Sequence, residues 1–300
     1  GSIGTYTNLS QEYNYGTACI SAWSTGGNMI VGRAQLAGAG TQNAALAFGG
    51  ETTGTIGCTE EYNGSSWELG GAMITARRLL AGAGTQDAGI VFGGYQGGDL
   101  NSTEEYNGSS WAAGGGLITA RRSLSGAGTQ NAGLAFGGGD PIRSNTEEYN
   151  GTAWTAGGAL ATARYRPQGA GTQNAGLVMG GTTPSVTSAS EEYNGSSWSA
   201  GSILVIATQA GAAAGLQDAA LVFGGSPISS QTQEYNGIAW SKITSLLRGT
   251  NSQAGAGTQS AALSSGGGGN TTLTEEFNLN INQRGAGFCS FAASVVFETE

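Results

Sequence analysis

Residues 82–94, GAGTQDAGIVFGG, followed after a short variable stretch by residues 103–111, TEEYNGSSW, decide how this chain is read. The first phrase is a small-residue segment, a tight polar turn, an apolar run and a closing Gly-Gly. The second carries a Glu pair, a Tyr, an Asn-Gly and a Trp. Both phrases return along the chain. Gly-Gly pairs close apolar runs at 49/50, 93/94, 137/138, 180/181, 224/225 and 266/267, so one unit spans 42 to 44 residues. A fixed period of this size marks a repeat architecture, which takes precedence over every other inference.

Within a unit the pattern predicts four short strands. They are Leu79 to Thr85, Ala88 to Phe92, Ser102 to Tyr106 and Ser109 to Ala113, each bounded by Gly, Asn or Asp. Asn-Gly at 63/64, 107/108, 150/151, 194/195 and 236/237 predicts type I′ hairpin turns between strands three and four, since both residues tolerate positive φ. The Thr-Gln-Asn/Asp-Ala steps suit a tight turn between strands one and two. No segment has helical periodicity with caps at both ends. Each unit is therefore an antiparallel meander, too small to bury enough surface alone. Stacking such sheets radially into a closed ring protects their edges.

Four apolar residues before Gly-Gly, a Glu-x-Tyr element and a Trp five residues after the Tyr together resemble the kelch repeat of β-propellers. Thr-Ala-Arg before the first strand, ending at Arg77, Arg121 and Arg164, echoes the same pattern. The resemblance covers nearly the whole chain. The sixth unit departs from it: AALSSGG places Ser264 and Ser265 at apolar positions, and EEFNLN has Phe277 for Tyr and no Trp.

Six complete units are counted at 24–67, 68–111, 112–154, 155–198, 199–240 and 241–283. The ends are read as a seventh, composite blade, with strands three and four from 11–23 and strands one and two from 284–297. The expected fold is thus a single all-β, seven-bladed propeller over residues 1–300, closed by pairing of the two termini. Gly1 stands 12 residues before Tyr13, the offset of Gly50 to Tyr62, so the chain begins in mid-blade. That predicts a domain taken from a longer polypeptide, an added Gly1-Ser2 being equally compatible.

Composition bounds the chemistry. Glycine supplies 56 of 300 residues against an average of about 7%. Yet 38% of residues are hydrophobic, including six tryptophans, which excludes a disordered linker. Net charge is −9 with a single lysine, Lys242, which argues against nucleic acid as a partner. No apolar run approaches the roughly 18 residues of a membrane helix. Cys19, Cys58 and Cys289 are too few and scattered for a disulfide framework and are read as free small hydrophobes. With no histidine, imidazole metal sites and histidine-based acid–base or triad catalysis are excluded, the copper site of the kelch-bearing galactose oxidase among them. Calcium held by loop oxygens is left open. No metal and no cofactor is expected.

Glutamates at 60/61, 104/105, 147/148, 191/192 and 275/276, with Glu12 and Glu234, supply 12 of the 20 acidic residues. Two carboxylates can hydrolyse a glycosidic bond when they flank one sugar at about 5 to 9.5 Å. Strand neighbours point to opposite faces, however, and repetition spreads them around a ring. Glu61, Glu105, Glu148 and Glu192 are therefore read as structural. So are Arg33, Arg77, Arg121 and Arg164, which are expected to pair with glutamates in bidentate fashion. Trp67, Trp111, Trp154, Trp198 and Trp240 are read as packing between sheets.

The copies also compare with one another. The stretches between strands two and three vary freely, and loop variation on a rigid scaffold is where binding resides. Tyr95, Asp99, Asp140 and Arg143 in those stretches are the candidate binding residues. The wording of the repeat, AGAGTQNAALAFGG with TEEYNGSSW, is similar to repeats in virion proteins of marine tailed phages. That resemblance implies a non-enzymatic structural or binding module on a virion, extracellular in setting. Its partners would be other virion proteins or a host-surface glycan or protein. A carbohydrate-active enzyme with carboxylates at the ring mouth and a kelch-type protein-interaction adaptor are the alternatives.

Overall fold

A computed structural model describes residues 20–280. Every regular element in it is a β-strand, and the strands form six four-stranded antiparallel sheets. The second blade shows the plan. Its inner strand Ala81–Gly84 pairs with Gly89–Phe92, then Thr103–Tyr106, then the outer strand Trp111–Gly114. Blades 1 to 5 span 37–69, 81–114, 125–156, 168–200 and 212–243. Each inner strand neighbours the next around a ring, and the inner strand of the last blade meets that of the first.

The expected seventh blade is corrected by the sixth. Ile20–Thr25 lies antiparallel to Thr274–Asn280 as the outer strand of blade 6, with Trp23 opposite Phe277. Tyr62 opposite Trp67 is the same pairing in blade 1. The sixth unit lacks a Trp strand of its own, and the N-terminal segment supplies it. The ring therefore closes with six blades, one of them shared between the two ends of the described chain. The rest of the expected composite blade, 11–19 and 284–297, lies outside the described residues.

Glycine and alanine on the inner strands make so narrow a ring feasible. A Cβ added at Gly255 would lie 2.7 Å from the Ala213 carbonyl oxygen, and one at Gly169 would lie 2.8 Å from that of Gly126. Neighbouring inner strands thus pack backbone against backbone. Outside them, the second strands form the core. Ile90, Val91 and Phe92 are fully buried, as are Leu134, Ala135 and Phe136 in blade 3. Phe48 meets Trp111 of the next blade edge-on at 5.1 Å, and Trp111 packs on its own Tyr106 at 4.9 Å. The same three-ring stack recurs at Phe92, Trp154 and Tyr149 and at Phe136, Trp198 and Tyr193.

The Asn-Gly turns also differ from expectation. Only the glycine has positive φ, as at Gly64 (90°) and Gly108 (84°), so the type I′ geometry is not formed. Tyr62 pairs with Trp67 across a four-residue loop in which Asn63 Oδ1 accepts the N–H groups of Ser65 and Ser66, both at 3.0 Å. The asparagine side chain, standing in for a backbone acceptor, sets the turn.

Candidate functional site

The repeated residues first require assignment, because they consume most of the charge. In blades 1 to 4 the arginine that ends the blade-to-blade connection is fully buried. Arg77 donates to the carbonyls of Gly93 (3.0 Å) and Ser102 (2.7 Å) and to Glu104 Oε1 (2.5 Å). Arg33 pairs with Glu60, Arg121 with Glu147 and Arg164 with Glu191. The partner is always the first glutamate of the pair, within the same unit. Contact runs through one carboxylate oxygen, and backbone carbonyls take further guanidinium donors, Nε included at Arg77 and Arg164, whereas Nε of Arg33 and of Arg121 has no partner among the described residues. The same carboxylate accepts backbone N–H groups, Ile74 and Thr75 in the case of Glu104. A buried pair survives desolvation only when its spare donors and acceptors are met in this way.

The second glutamate reaches the next blade. Tyr106 donates to Glu61, Tyr149 to Glu105, Tyr193 to Glu148, Tyr235 to Glu192, and Tyr62 of blade 1 to Glu276 of blade 6. Burial, and then donation to a carboxylate, push each of these five phenols up to about 12. The tryptophans are also bound across seams: Trp111 Nε1 donates to Thr59, Trp154 to Thr103, Trp198 to Thr146, Trp23 to Thr232 and Trp67 to Thr274.

A third seam residue escaped the sequence reading. Gln86 of the tight turn donates from Nε2 to the carbonyls of Ala45 (3.1 Å) and Tyr62 (2.8 Å) in the preceding blade. Gln130, Gln173 and Gln217 repeat the contact, and Gln42 closes the ring onto Ala262 and Phe277. Its signal was recurrence in all six units at a position that a turn alone leaves free to vary.

Arg78, Arg122, Arg143 and Arg166, with Glu51, Asp99 and Asp140, gather on the variable-loop face, around the mouth of the central channel. Six residues with positive φ ring that mouth: Gln35, Leu79, Ser123, Arg166, Ala210 and Ser252, with φ between 51° and 55°. Each donates its N–H to the carbonyl of the one before, and Gln35 N–H meets Ser252 O at 2.8 Å, so the hydrogen bonds form a closed circle. The left-handed conformation costs about 1–2 kcal/mol per residue, which the circle offsets by satisfying backbone groups that no sheet reaches. Inside lies a cavity of about 90 Å³, lined by Leu36, Leu80, Leu124, Pro167 and Arg166 among others. A larger cavity of about 170 Å³ continues inward between the Gly and Ala of the inner strands. None of the residues lining either cavity is acidic.

Of the four candidate residues, Tyr95, Asp99 and Asp140 converge beside this mouth through an arginine that sequence reasoning passed over. Arg122 donates to Asp99 Oδ1 and Asp140 Oδ2, both at 2.7 Å, and its guanidinium lies 5.0 Å from the centre of the Tyr95 ring. Arg78 lies 5.4 Å from that ring and pairs with Glu51. Tyr95 is thus flanked by two guanidiniums, an arrangement favoured by its ring quadrupole. Arg143 lies apart from this cluster, folded over Gly139, and has no acidic group within 4.0 Å among the described residues. Arg166 likewise lacks an acidic partner and lies 5.4 Å from the Tyr165 ring centre. Burial would raise the Tyr165 phenol, but hydrogen bonding to Ser123, with Arg166 and Arg122, outweighs it and holds the phenol below its usual value. Arg78, Arg122, Tyr165 and Arg166 sit in blade-to-blade connections and not in the variable stretches, which is why loop variability did not single them out.

No group of three or more metal-ligating side chains occurs among the described residues. Among the described residues no helix is long and apolar enough to cross a membrane. No protein-family model matches the chain, and no curated protein matches it in sequence.

Proposed function

We propose that the protein is a non-enzymatic binding module that recognises an anionic glycan on the channel-mouth face of blades 1 to 4. The observation that carries this reading is where the cations lie. Among the described residues, six Arg and Lys side chains stand outside the four buried Arg–Glu pairs, and Arg78, Arg122, Arg143 and Arg166 share this one face. Three acidic groups, Glu51, Asp99 and Asp140, answer these four cations, so the patch is locally positive on a chain of net charge −9. Arg166 and Arg143 are the two free to take a carboxylate or sulfate in bidentate fashion. Tyr165 lies beside Arg166. A channel without a lining carboxylate favours binding over glycoside hydrolysis, which requires a facing pair.

The setting proposed is a virion or another extracellular surface, with attachment to a host-surface glycan as the role. It rests on the resemblance of the repeat to those of marine tailed phages, with a surface rich in Ser, Thr, Asn and Gly in keeping. The test is titration of the protein with oligogalacturonate and with a neutral oligosaccharide of equal length. The acidic probe is expected to bind with a strong salt dependence. Arg166→Gln with Arg143→Gln should weaken it at least about tenfold, or 1.4 kcal/mol, and Lys242→Gln should leave it unchanged. Equal binding of both probes, or full affinity in the double variant, overturns the reading.

A further inference from the structure

Five of the six blades place a guanidinium in one slot, fully buried in blades 1 to 4 and part-exposed in blade 6. Four come from the repeated arginine. In blade 6 that position is Thr250, and Arg248 reaches in instead, donating to Gly266 O at 3.3 Å with its Nε 3.9 Å from Glu275 Oε1. Gly266 O corresponds to Gly93 O, the acceptor of Arg77. Among the described residues, only blade 5 has no guanidinium there. Thr208 occupies the arginine position and Gln233 the glutamate position, both buried, and the slot is a cavity of about 160 Å³. It is lined by Thr208, Gly224, Gln231 and Gln233 and opens beside Ala207 and the exposed Ile228.

The contacts within the slot say what could occupy it. Gln233 performs two lost roles at once: its Oε1 accepts Ile206 N–H at 2.9 Å, as the carboxylate would, and its Nε2 donates to Ile206 O at 3.0 Å, as the guanidinium would. The carbonyl of Gln231 corresponds to Ser102 O; it accepts Gly224 N–H at 3.0 Å, and no side chain among the described residues donates to its second lone pair. That of Gly224 is approached only by Thr208 Oγ1, at 3.3 Å. The slot thus offers two parallel acceptors and one hydroxyl able to turn and donate. Both charges have been removed together, so a cation entering here would meet no carboxylate, and an unpaired buried charge costs several kcal/mol. A planar, uncharged group with an NH₂ and a carbonyl satisfies all three partners without that penalty.

We propose that the vacated slot of blade 5 binds a primary carboxamide, either the side chain of a glutamine or asparagine on a partner polypeptide or a free small amide. The NH₂ donates to Gly224 O and Gln231 O, the amide carbonyl accepts from Thr208, and the alkyl stem leaves past Ile228. This site does not depend on the anionic-glycan reading, and Arg166→Gln with Arg143→Gln is expected to leave it intact.

The experiment is a titration of the whole chain, followed by backbone amide NMR, with propionamide, an acetylated Gly-Gln-Gly amide and n-propylguanidinium at fixed ionic strength. Both amides are expected to shift Thr208, Gly224 and Gln231, and the guanidinium is not. Binding of the peptide at least about tenfold tighter than propionamide assigns the slot to a partner's side chain, and equal binding assigns it to a small amide. Thr208→Arg with Gln233→Glu rebuilds the pair of blades 1 to 4 and should abolish the shifts in a folded protein. Gln233→Glu alone should reverse the preference toward n-propylguanidinium. The proposal is overturned if neither amide shifts these residues, if the rebuilt double variant still binds, or if the unmodified protein prefers the guanidinium.

Discussion

Blades 1 to 4 and blades 5 and 6 are built from one repeat but are held differently. The seams from blade 1 through blade 4 carry the whole set of links: Tyr to Glu, Trp to Thr, and Gln to two backbone carbonyls. Beyond them the set thins. Ser190 stands where the other blades have Thr, its hydroxyl turns to Ser202 O, and Trp240 Nε1 has no partner among the described residues. Phe277 replaces Tyr, so Glu234 receives no phenol from the described residues, and burial pushes its carboxyl up. Thr208 and Gln233 replace an ion pair. The seam closing blade 6 on blade 1 is complete again, through Trp67 to Thr274, Tyr62 to Glu276, and Gln42. The difference shows that ring closure is protected chemically, while the seams around blade 5 tolerate loss because both neighbours are already held in place.

Alkaline pH should break this comparison most strongly. The folded phenols of Tyr62, Tyr106, Tyr149, Tyr193 and Tyr235 lie at about 12, against 10.0 when unperturbed. Above pH 10 the unfolded chain releases protons that the folded one retains. Stability from these five links is therefore fully present below pH 10 and is lost as pH rises toward 12. Melting followed at half-unit steps should show a steep fall in that window. A flat profile would contradict the five cross-seam bonds.

The buried ion pairs separate the two regions next. Arg77→Met strands Glu104 in the interior and should cost about 3–5 kcal/mol. Arg77→Thr with Glu104→Gln copies blade 5 into blade 2, removes both charges, and should recover a large part of that loss. Chemical denaturation of both variants measures the difference. Equal destabilisation would mean that the pairs act through shape and not through charge.

The smallest expected effect restores a link. Phe277→Tyr supplies the missing donor to Glu234 across the seam between blades 5 and 6 and should add about 0.5–1.5 kcal/mol. It should also lower the Glu234 carboxyl toward its usual value, readable by NMR titration. A gain that persists in Phe277→Tyr with Glu234→Ala would show that the hydroxyl acts elsewhere.

Much of this architecture is legible in the repeat. The strand order, the apolar second strand, the Gly-Gly closure and the Trp at each outer strand all follow from spacing. The count failed on one step. A unit without its Trp and an N-terminal segment with a surplus one describe a shared blade. Adding the tail residues as a further blade left Phe277 without its neighbour. The candidate site was half legible: Tyr95, Asp99 and Asp140 lie where loop variability places them. Arg78, Arg122 and Arg166 sit beside repeated residues, and nothing along the chain separates the buried Arg77 and Arg121 from the half-exposed arginines that follow them.

The sequence by itself determined the unit: four short strands, their order, and which strand is apolar. These depend on contacts between residues a few tens of positions apart, and the period exposes them. Tertiary structure alone decided the number of blades, the left-handed circle at the channel mouth, and which arginines remain free. Those properties arise only when the ring closes, because each is a relation between one unit and its neighbours and is not written in any unit alone.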